Sequence, residues 1–196
     1  MSEVALGDRI KVAIGVSPGT FDFAFAPVVF LPHARDNTRE ATFVTIETSG
    51  GHSISATEDH LLVATVSCSS SSGDWIVPSG GGLVEAGKIS VGMCLRRSGG
   101  GVWEKVAGVR TWRGSGVHTV VTSHPSGLIV VDGFTVSSFG RLHSLTNLYY
   151  HMVRLLARVL PAWVLGMPIL VATNQMLGGD FTAVRAAAHL STIAVA

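Results

Sequence analysis

Residues 41–66 read ATFVTIETSGGHSISATEDHLLVATV, and the fold turns on whether this stretch is helix or strand. Val44 and Ile46 fall on one side and Thr45 and Glu47 on the other, the period of a half-buried strand. Ser49-Gly50-Gly51 supplies a turn and HSISAT returns, so the segment reads as an antiparallel hairpin. The polar knot Thr57-Glu58-Asp59-His60 is the ambiguous point. Thr57 suits a helix N-cap, but a capping box wants Glu or Gln where His60 stands. The run Leu61, Leu62, Val63, Ala64, Thr65, Val66 includes several β-branched residues, which lose χ1 freedom in a helix. Thr57 and His60 are therefore placed at the entrance of a strand.

Outward from this stretch the same grammar continues. IKVAIGV (10–16) and FAFAPVVFL (23–31) are β-like runs separated by turn residues, among them Ser17, Pro18 and Gly19. Pro27 inside the second run predicts a sheet edge or a bulge, because it brings no N–H to a ladder. LIVV-DG-FTVS (128–137) carries Asp-Gly between two β-rich runs, a strong signal for a tight hairpin. ALGDRI (5–10) and SVGMCL (90–95) share the pattern x-L/V-G-x-x-I/L, an internal echo of the kind that duplicated β units leave.

From about Leu142 the period changes. Leu145, Leu148, Met152, Leu155, Leu156 and Val159 recur at helical spacing, opposite a polar stripe of Asn147, His151, Arg154 and Arg158, and Pro161 ends the run. The expectation is an amphipathic helix whose apolar face packs on the β domain, with attachment to a membrane surface or binding of a partner as the alternative. Residues 159–179 carry no charge, but Pro161, Pro168 and the trio Thr173, Asn174, Gln175 argue against a transmembrane helix and for a buried or membrane-adsorbed apolar hairpin. The chain divides as a β domain over 1–141 and a helical, apolar appendage over 142–196.

Composition narrows the function. With 196 residues the chain can bury a proper core, and 47% apolar against 14% charged residues excludes a disordered chain. A formal net charge of +1 provides no basic field for nucleic acid. The eight histidines show no metal-binding pattern, so no metal or other cofactor is expected. Cys68 and Cys94 match no metal spacing either, and are read as free thiols in preference to a disulfide. Glu3, Asp8 and Arg9 interrupt the apolar core that a secretion signal would need, and nothing in the residues assigns a compartment.

Two motifs are decoys. GVSPG (15–19) matches G-x-S-x-G, but a nucleophile elbow leads into a helix and TFDFAFAPVVF is not one. The glycine trios at 80–82 and 99–101 lack the lysine and the strand-to-helix setting of a phosphate loop. Thr57 and His60 remain. An imidazole beside a peptide nitrogen can donate a proton as the bond breaks, and a threonine hydroxyl can orient the ring or bond the amide. On the spacing alone, satisfaction of backbone groups at a strand entrance is the better reading.

The order of the segments shifts that balance. ALGDRI, APVVFLPH, ATFVTIETSGGHSISATEDHLLV, EAGKISVGMCLRR, SGLIVVDGFTVSSF and LYYHMVRLLARVLP, covering residues 5 to about 160, together resemble the Hint domain, the self-processing module shared by Hedgehog proteins and inteins, and within it the Hedgehog C-terminal kind. The resemblance implies an all-β fold of two related subunits around a pseudo-twofold axis, followed here by the C-terminal helix. It implies that a cysteine at the start of the domain attacks the preceding carbonyl, and that a second nucleophile opens the thioester and releases the upstream segment. The partner in that reaction is the chain's own upstream polypeptide. Thr57 and His60 would be the T-x-x-H residues that activate the scissile bond. His33 stands where cholesterol-transferring Hedgehogs carry an aspartate; its imidazole would serve as the catalytic base for thioester opening by water or another nucleophile, which puts cholesterol as acceptor in doubt, and Ser138 stands where some carry a late cysteine. No cysteine precedes Cys68, which does not match the family's nucleophile, so the chain as written is expected not to cleave itself. The alternative is a catalytically dead β module retained for binding, with membrane contact through residues 145–177. Hedgehog-type precursors travel the secretory route.

Overall fold

The computed structural model describes residues 4–14, 22–32, 40–68, 82–99, 102–140, 143–161 and 164. His33, the GVSPG stretch and the apolar segment beyond residue 164 lie outside the described residues. The strands are β1 (Arg9–Ala13), β2 (Phe23–Phe30), β3 (Glu40–Thr48), β4 (Ser53–Thr57), β5 (His60–Thr65), β6 (Gly82–Glu85), β7 (Cys94–Arg96), β8 (Trp103–Ser115), β9 (Val121–Thr122), β10 (Leu128–Val131) and β11 (Phe134–Gly140). One 3-10 turn spans Ala86–Lys88 and one helix, α1, spans His143–Leu156. The 11-stranded sheet runs β4-β3-β8-β7-β5-β11-β10-β1-β2-β9, with β6 also beside β5.

The hairpin predicted over 43–57 is β3–β4, with Val44 paired to Ala56 and Ile46 to Ile54. Val44, Ile46 and Ile54 enter the main core with Val12, Leu62, Leu95, Val106, Ile129, Phe134 and Val136. Burying each such side chain contributes about 1.5–3 kcal/mol, which locks the register, since a one-residue slip would turn the row outward. The Asp-Gly hairpin is β10–β11, where Asp132 (φ 49°) and Gly133 (φ 82°) both take the positive φ of a type I′ turn. Pro27 sits on β2 where its carbonyl accepts Ser123 N–H (2.9 Å) on the β9 side, and β9 is two residues long with a register shift between Val28 and Phe30. The ladder stops where proline offers no donor.

The sequence echo is a repeated turn. Asp8 N–H bonds Ala5 O (3.2 Å) and Met93 N–H bonds Ser90 O (3.2 Å), with Gly7 (φ 90°) and Gly92 (φ 97°) in the third position of each. These are type II positions that favour glycine. Gly7 N–H then donates to Val28 O (2.9 Å) and Val28 N–H to Asp8 O (2.8 Å); Gly92 N–H donates to Val106 O (3.0 Å) and Val106 N–H to Met93 O (2.7 Å). The rungs beyond continue in step, Arg9 opposite Pro27 and Cys94 opposite Lys105. The third strands then trade sides. β3 of the first half pairs with β8, and β9 of the second half pairs with β2. Thr48 lies opposite Val106 and Thr122 opposite Val28, and both threonines are buried. Between the halves β5 and β11 pair antiparallel, Leu62 opposite Val136.

Two expectations are corrected. Cys68 and Cys94 are not free thiols: they form a disulfide, with Cα atoms 5.6 Å apart. Thr65 pairs with Cys94 across β5–β7, and the chain turning out of β5 carries Cys68 back over that rung. The helix exists, but its apolar stripe faces outward. Leu148 (64% exposed), Met152 (62%) and Val159 (76%) are open to solvent, as are Leu155 and Leu156. The face laid on the sheet is built from Tyr150 and Arg154. Tyr150 stacks on Phe139 at 5.2 Å and lies 6.1 Å from Phe30. Arg154 Nε donates to Thr122 O (2.9 Å) and Nη1 to Asn147 O (3.3 Å). Aromatic stacking and a guanidinium bonded to the Thr122 carbonyl outweigh the simple amphipathic pattern here.

Candidate active site

The T-x-x-H residues flank the two-residue turn between β4 and β5. Main-chain bonds hold that turn on both sides. Glu58 N–H donates to Thr42 O (3.1 Å), and Glu58 O accepts Gly87 N–H (2.9 Å). The EAGKI segment therefore has a local purpose. Buried Ala86 and Ile89 anchor the 3-10 turn, and a Cβ on Gly87 would stand 3.2 Å from the Glu58 Cβ. A close approach of this kind is a place where glycine is useful.

Thr57 ends β4 in register with Phe43, whose ring stacks on Trp112 at 4.8 Å. It is half-buried, and its hydroxyl makes no hydrogen bond to another described residue. His60 opens β5 opposite Gly140. Its ring is half-buried, and desolvation lowers its pKa; a hydrogen bond to the Ser137 main chain works in the opposite direction. At neutral pH the lowered pKa leaves the ring uncharged, with a proton on one nitrogen and a lone pair on the other.

Thr57 and His60 are thus neighbours across one turn, with no side-chain hydrogen bond between them, and His33 lies outside the described residues. Ser138 is buried with its hydroxyl unpartnered, while its N–H donates to Gly127 O (2.7 Å). Among the described residues no group of three or more His, Cys, Asp or Glu side chains is placed to hold a metal ion.

Sequence reasoning missed Ser137 and His143. Ser137 Oγ bonds His143 Nδ1 at 2.6 Å and accepts Phe139 N–H at 2.8 Å. Burial lowers the pKa of His143; a hydrogen bond to the Ser126 main chain raises it, and the Arg154 charge lowers it again. His124, whose Nδ1 lies 3.0 Å from Ser126 Oγ, is lowered by burial and by Arg154. A histidine six residues beyond a serine in a strand that runs into a helix was the available signal, and it is a common one.

Residues 1–175 match the family model described as the Hint module. The chain is also similar to solved inteins. The gp41-1 intein gives a TM-score of 0.48 at 14% identity, covering 70% of this chain and 85% of that one. A DnaB intein from Synechocystis sp. PCC 6803 gives 0.48 at 16%, covering 68% and 79%. The MchDnaB-1 intein gives 0.46 at 19%, covering 70% and 87%. Comparison with curated proteins gives no match.

Proposed function

The chain belongs to the Hint family, and from that premise we propose that it is an autoprocessing domain of the Hedgehog type, with Thr57 and His60 as the groups that activate the scissile peptide bond. The observation that carries this reading is the placement of Thr57 and His60 at the two ends of one turn, with burial holding the His60 ring neutral. A neutral imidazole so held can take the proton of an attacking thiol on its free nitrogen. Burial makes the resulting imidazolium a stronger acid, which returns that proton to the amide nitrogen as it leaves. A sulfur–carbon bond forms, the carbon–nitrogen bond breaks, and the proton moves from thiol to ring to amine. The free hydroxyl of Thr57 is available to the amide across the turn. His33 in place of the family's aspartate favours an acceptor other than cholesterol.

The two cysteines of the 196 residues are bonded to one another, which supports a reading in which the attacking thiol is neither Cys68 nor Cys94. Sequencing the 5′ end of the transcript tests the reading. An in-frame cysteine one strand upstream of Ala5 supports it, and a stop codon directly before Met1 counts against it. A chain extended to that cysteine should release its N-terminal fragment with hydroxylamine, which leaves the disulfide intact, or with dithiothreitol. His60→Ala should block release; unchanged release in that variant would sink the assignment.

The outward stripe of Leu148, Met152, Leu155, Leu156 and Val159 favours a second reading, a binding module held at a membrane through residues 145–177. Among the described residues no helix is long and apolar enough to cross a membrane. Flotation with liposomes, compared between the full chain and one ending at Arg141, tests it. Equal flotation of the two removes the membrane role.

A further inference from the structure

The middle of the T-x-x-H turn is gripped at one peptide. The Glu58 carbonyl, part of the Glu58–Asp59 peptide, accepts the Gly87 N–H at 2.9 Å, while the Glu58 N–H is held by Thr42 O at 3.1 Å. Gly87 belongs to the 3-10 turn Ala86–Lys88, which follows β6 directly. β6 is itself laid on β5, with Glu85 opposite Leu61 and Val84 opposite Leu62. One short segment therefore holds the chain at Glu58 and at Leu61, the two residues that bracket Asp59 and His60. Its seat is firm: Ala86 is fully buried, and buried Ile89 donates its N–H to Ala86 O at 3.2 Å. Gly87 is not among the described residues with positive φ, so its own backbone makes no demand for glycine. The demand comes from across the gap. A Cβ on Gly87 would stand 3.2 Å from Glu58 Cβ and 3.3 Å from Glu58 O, whereas carbon atoms settle at about 3.5–4.0 Å.

We propose that Gly87 is a positioning residue for Thr57 and His60. Its N–H fixes the direction of the Glu58–Asp59 peptide, and its lack of a side chain lets the 3-10 turn come close enough to do so. A peptide is planar, so turning that carbonyl away would swing His60 relative to Thr57. Alanine at 87 would force the contact open by a few tenths of an ångström. The second glycine near the turn asks less: a Cβ on Gly140 would meet Asp59 O at 3.4 Å, an ordinary contact. The catalytic meaning of the grip on Glu58 rests on the function proposed above; the grip itself does not.

The test separates the two. In the 196-residue chain, NMR reads the scalar coupling across the hydrogen bond from Gly87 N–H to the Glu58 carbonyl. Gly87→Ala should weaken that coupling and shift the amide resonances of Thr57 to His60. Adding Glu58→Gly, which removes the opposing Cβ, should restore the coupling. Should Gly87→Ala fail to fold, Glu58→Val thickens the same contact from an exposed position and should weaken the coupling in its place. An unchanged coupling in the folded variant overturns the proposal. Alanine at a compatible φ restricts the unfolded chain, which offsets the strained contact, so the urea midpoint should stay near the native one. In a chain extended to its cysteine, Gly87→Ala should slow hydroxylamine-driven release roughly tenfold, given that a misplacement of about 1 Å can cost about 100-fold. The double variant should release as fast as Glu58→Gly alone. A weakened coupling with unchanged release keeps the positioning and defeats the catalytic role of Thr57 and His60; slow release with an intact coupling does the reverse.

Discussion

Cys68→Ala is the cleanest cut at the disulfide. Cys68 is exposed in the turn after β5, so losing its sulfur removes little packing, while buried Cys94 keeps its place as a small apolar side chain. The cross-link closes 26 residues of sequence. In the chain-entropy account a loop of that size restricts the unfolded chain by about 3.5 kcal/mol at 25 °C. A domain of ordinary stability has about 5–15 kcal/mol in all, so this is a large share. With a urea slope of about 2 kcal/mol/M, the unfolding midpoint should fall by about 1.7 M. Equilibrium urea unfolding of the oxidised native chain and of Cys68→Ala measures it, with the slope checked for constancy. The oxidised chain should also show no thiol to Ellman's reagent until it is unfolded and reduced. A midpoint shift below about 0.5 M, or two reactive thiols in the untreated folded chain, would refute the reasoning.

Three further outcomes are expected. Gly7→Ala and Gly92→Ala meet no neighbouring atom within 4 Å and differ from wild type only in backbone strain at φ 90° and 97°. Each should cost about 1–2 kcal/mol, alike and additive in urea unfolding, and a large inequality would mean the two turns are not equivalents. Arg154→Met leaves the Thr122 carbonyl without its guanidinium donor and should cost about 1–3 kcal/mol. It should also let His124 and His143 titrate at higher pH by NMR, because the Arg154 charge helps hold both down. Glu104 is pushed up by burial, but hydrogen bonds from Thr48 and His52 and the charges of His52 and Arg97 bring it below 4.5 overall. Its stabilising effect is therefore complete above that unfolded value and is lost as pH falls through the folded one. Glu104→Gln should lose about 1–2 kcal/mol at pH 7 and flatten the acid limb of the stability curve.

The hairpins were legible because turn chemistry and strand period agree locally: Ser49-Gly50-Gly51 and Asp132-Gly133 stand where their strands require them. The ALGDRI and SVGMCL echo was visible as a pattern, but its meaning lay in hydrogen bonds to Val28 and Val106, distant in the chain. The longest strand, β8, gave no such signal. Only Val106 of its 13 residues is buried, and charges at Glu104, Lys105, Arg110 and Arg113 mask the alternation of a ribbon wet on much of its surface. The direction of α1 was misread because period alone ranks leucine above arginine for the interior. Thr122 and Asn147 carbonyls at the joint reverse that ranking for Arg154. Of the site, Thr57 and His60 could be placed from sequence, whereas the burial that lowers the His60 pKa depends on β11, distant in the chain.

The trading of third strands has a consequence for synthesis. β3 leaves the ribosome well before β8, the neighbour with which it shares nine rungs from Glu40 to Thr48. Until Ser115 has emerged, the inner row of Val44 and Ile46 has only β4 beside it. The amino-terminal half is therefore an unfinished surface during translation rather than a subdomain waiting for a second one. Pairing of β3 with β8 therefore waits for the second half of the chain, and the sheet beside the β4–β5 turn is incomplete until that half arrives.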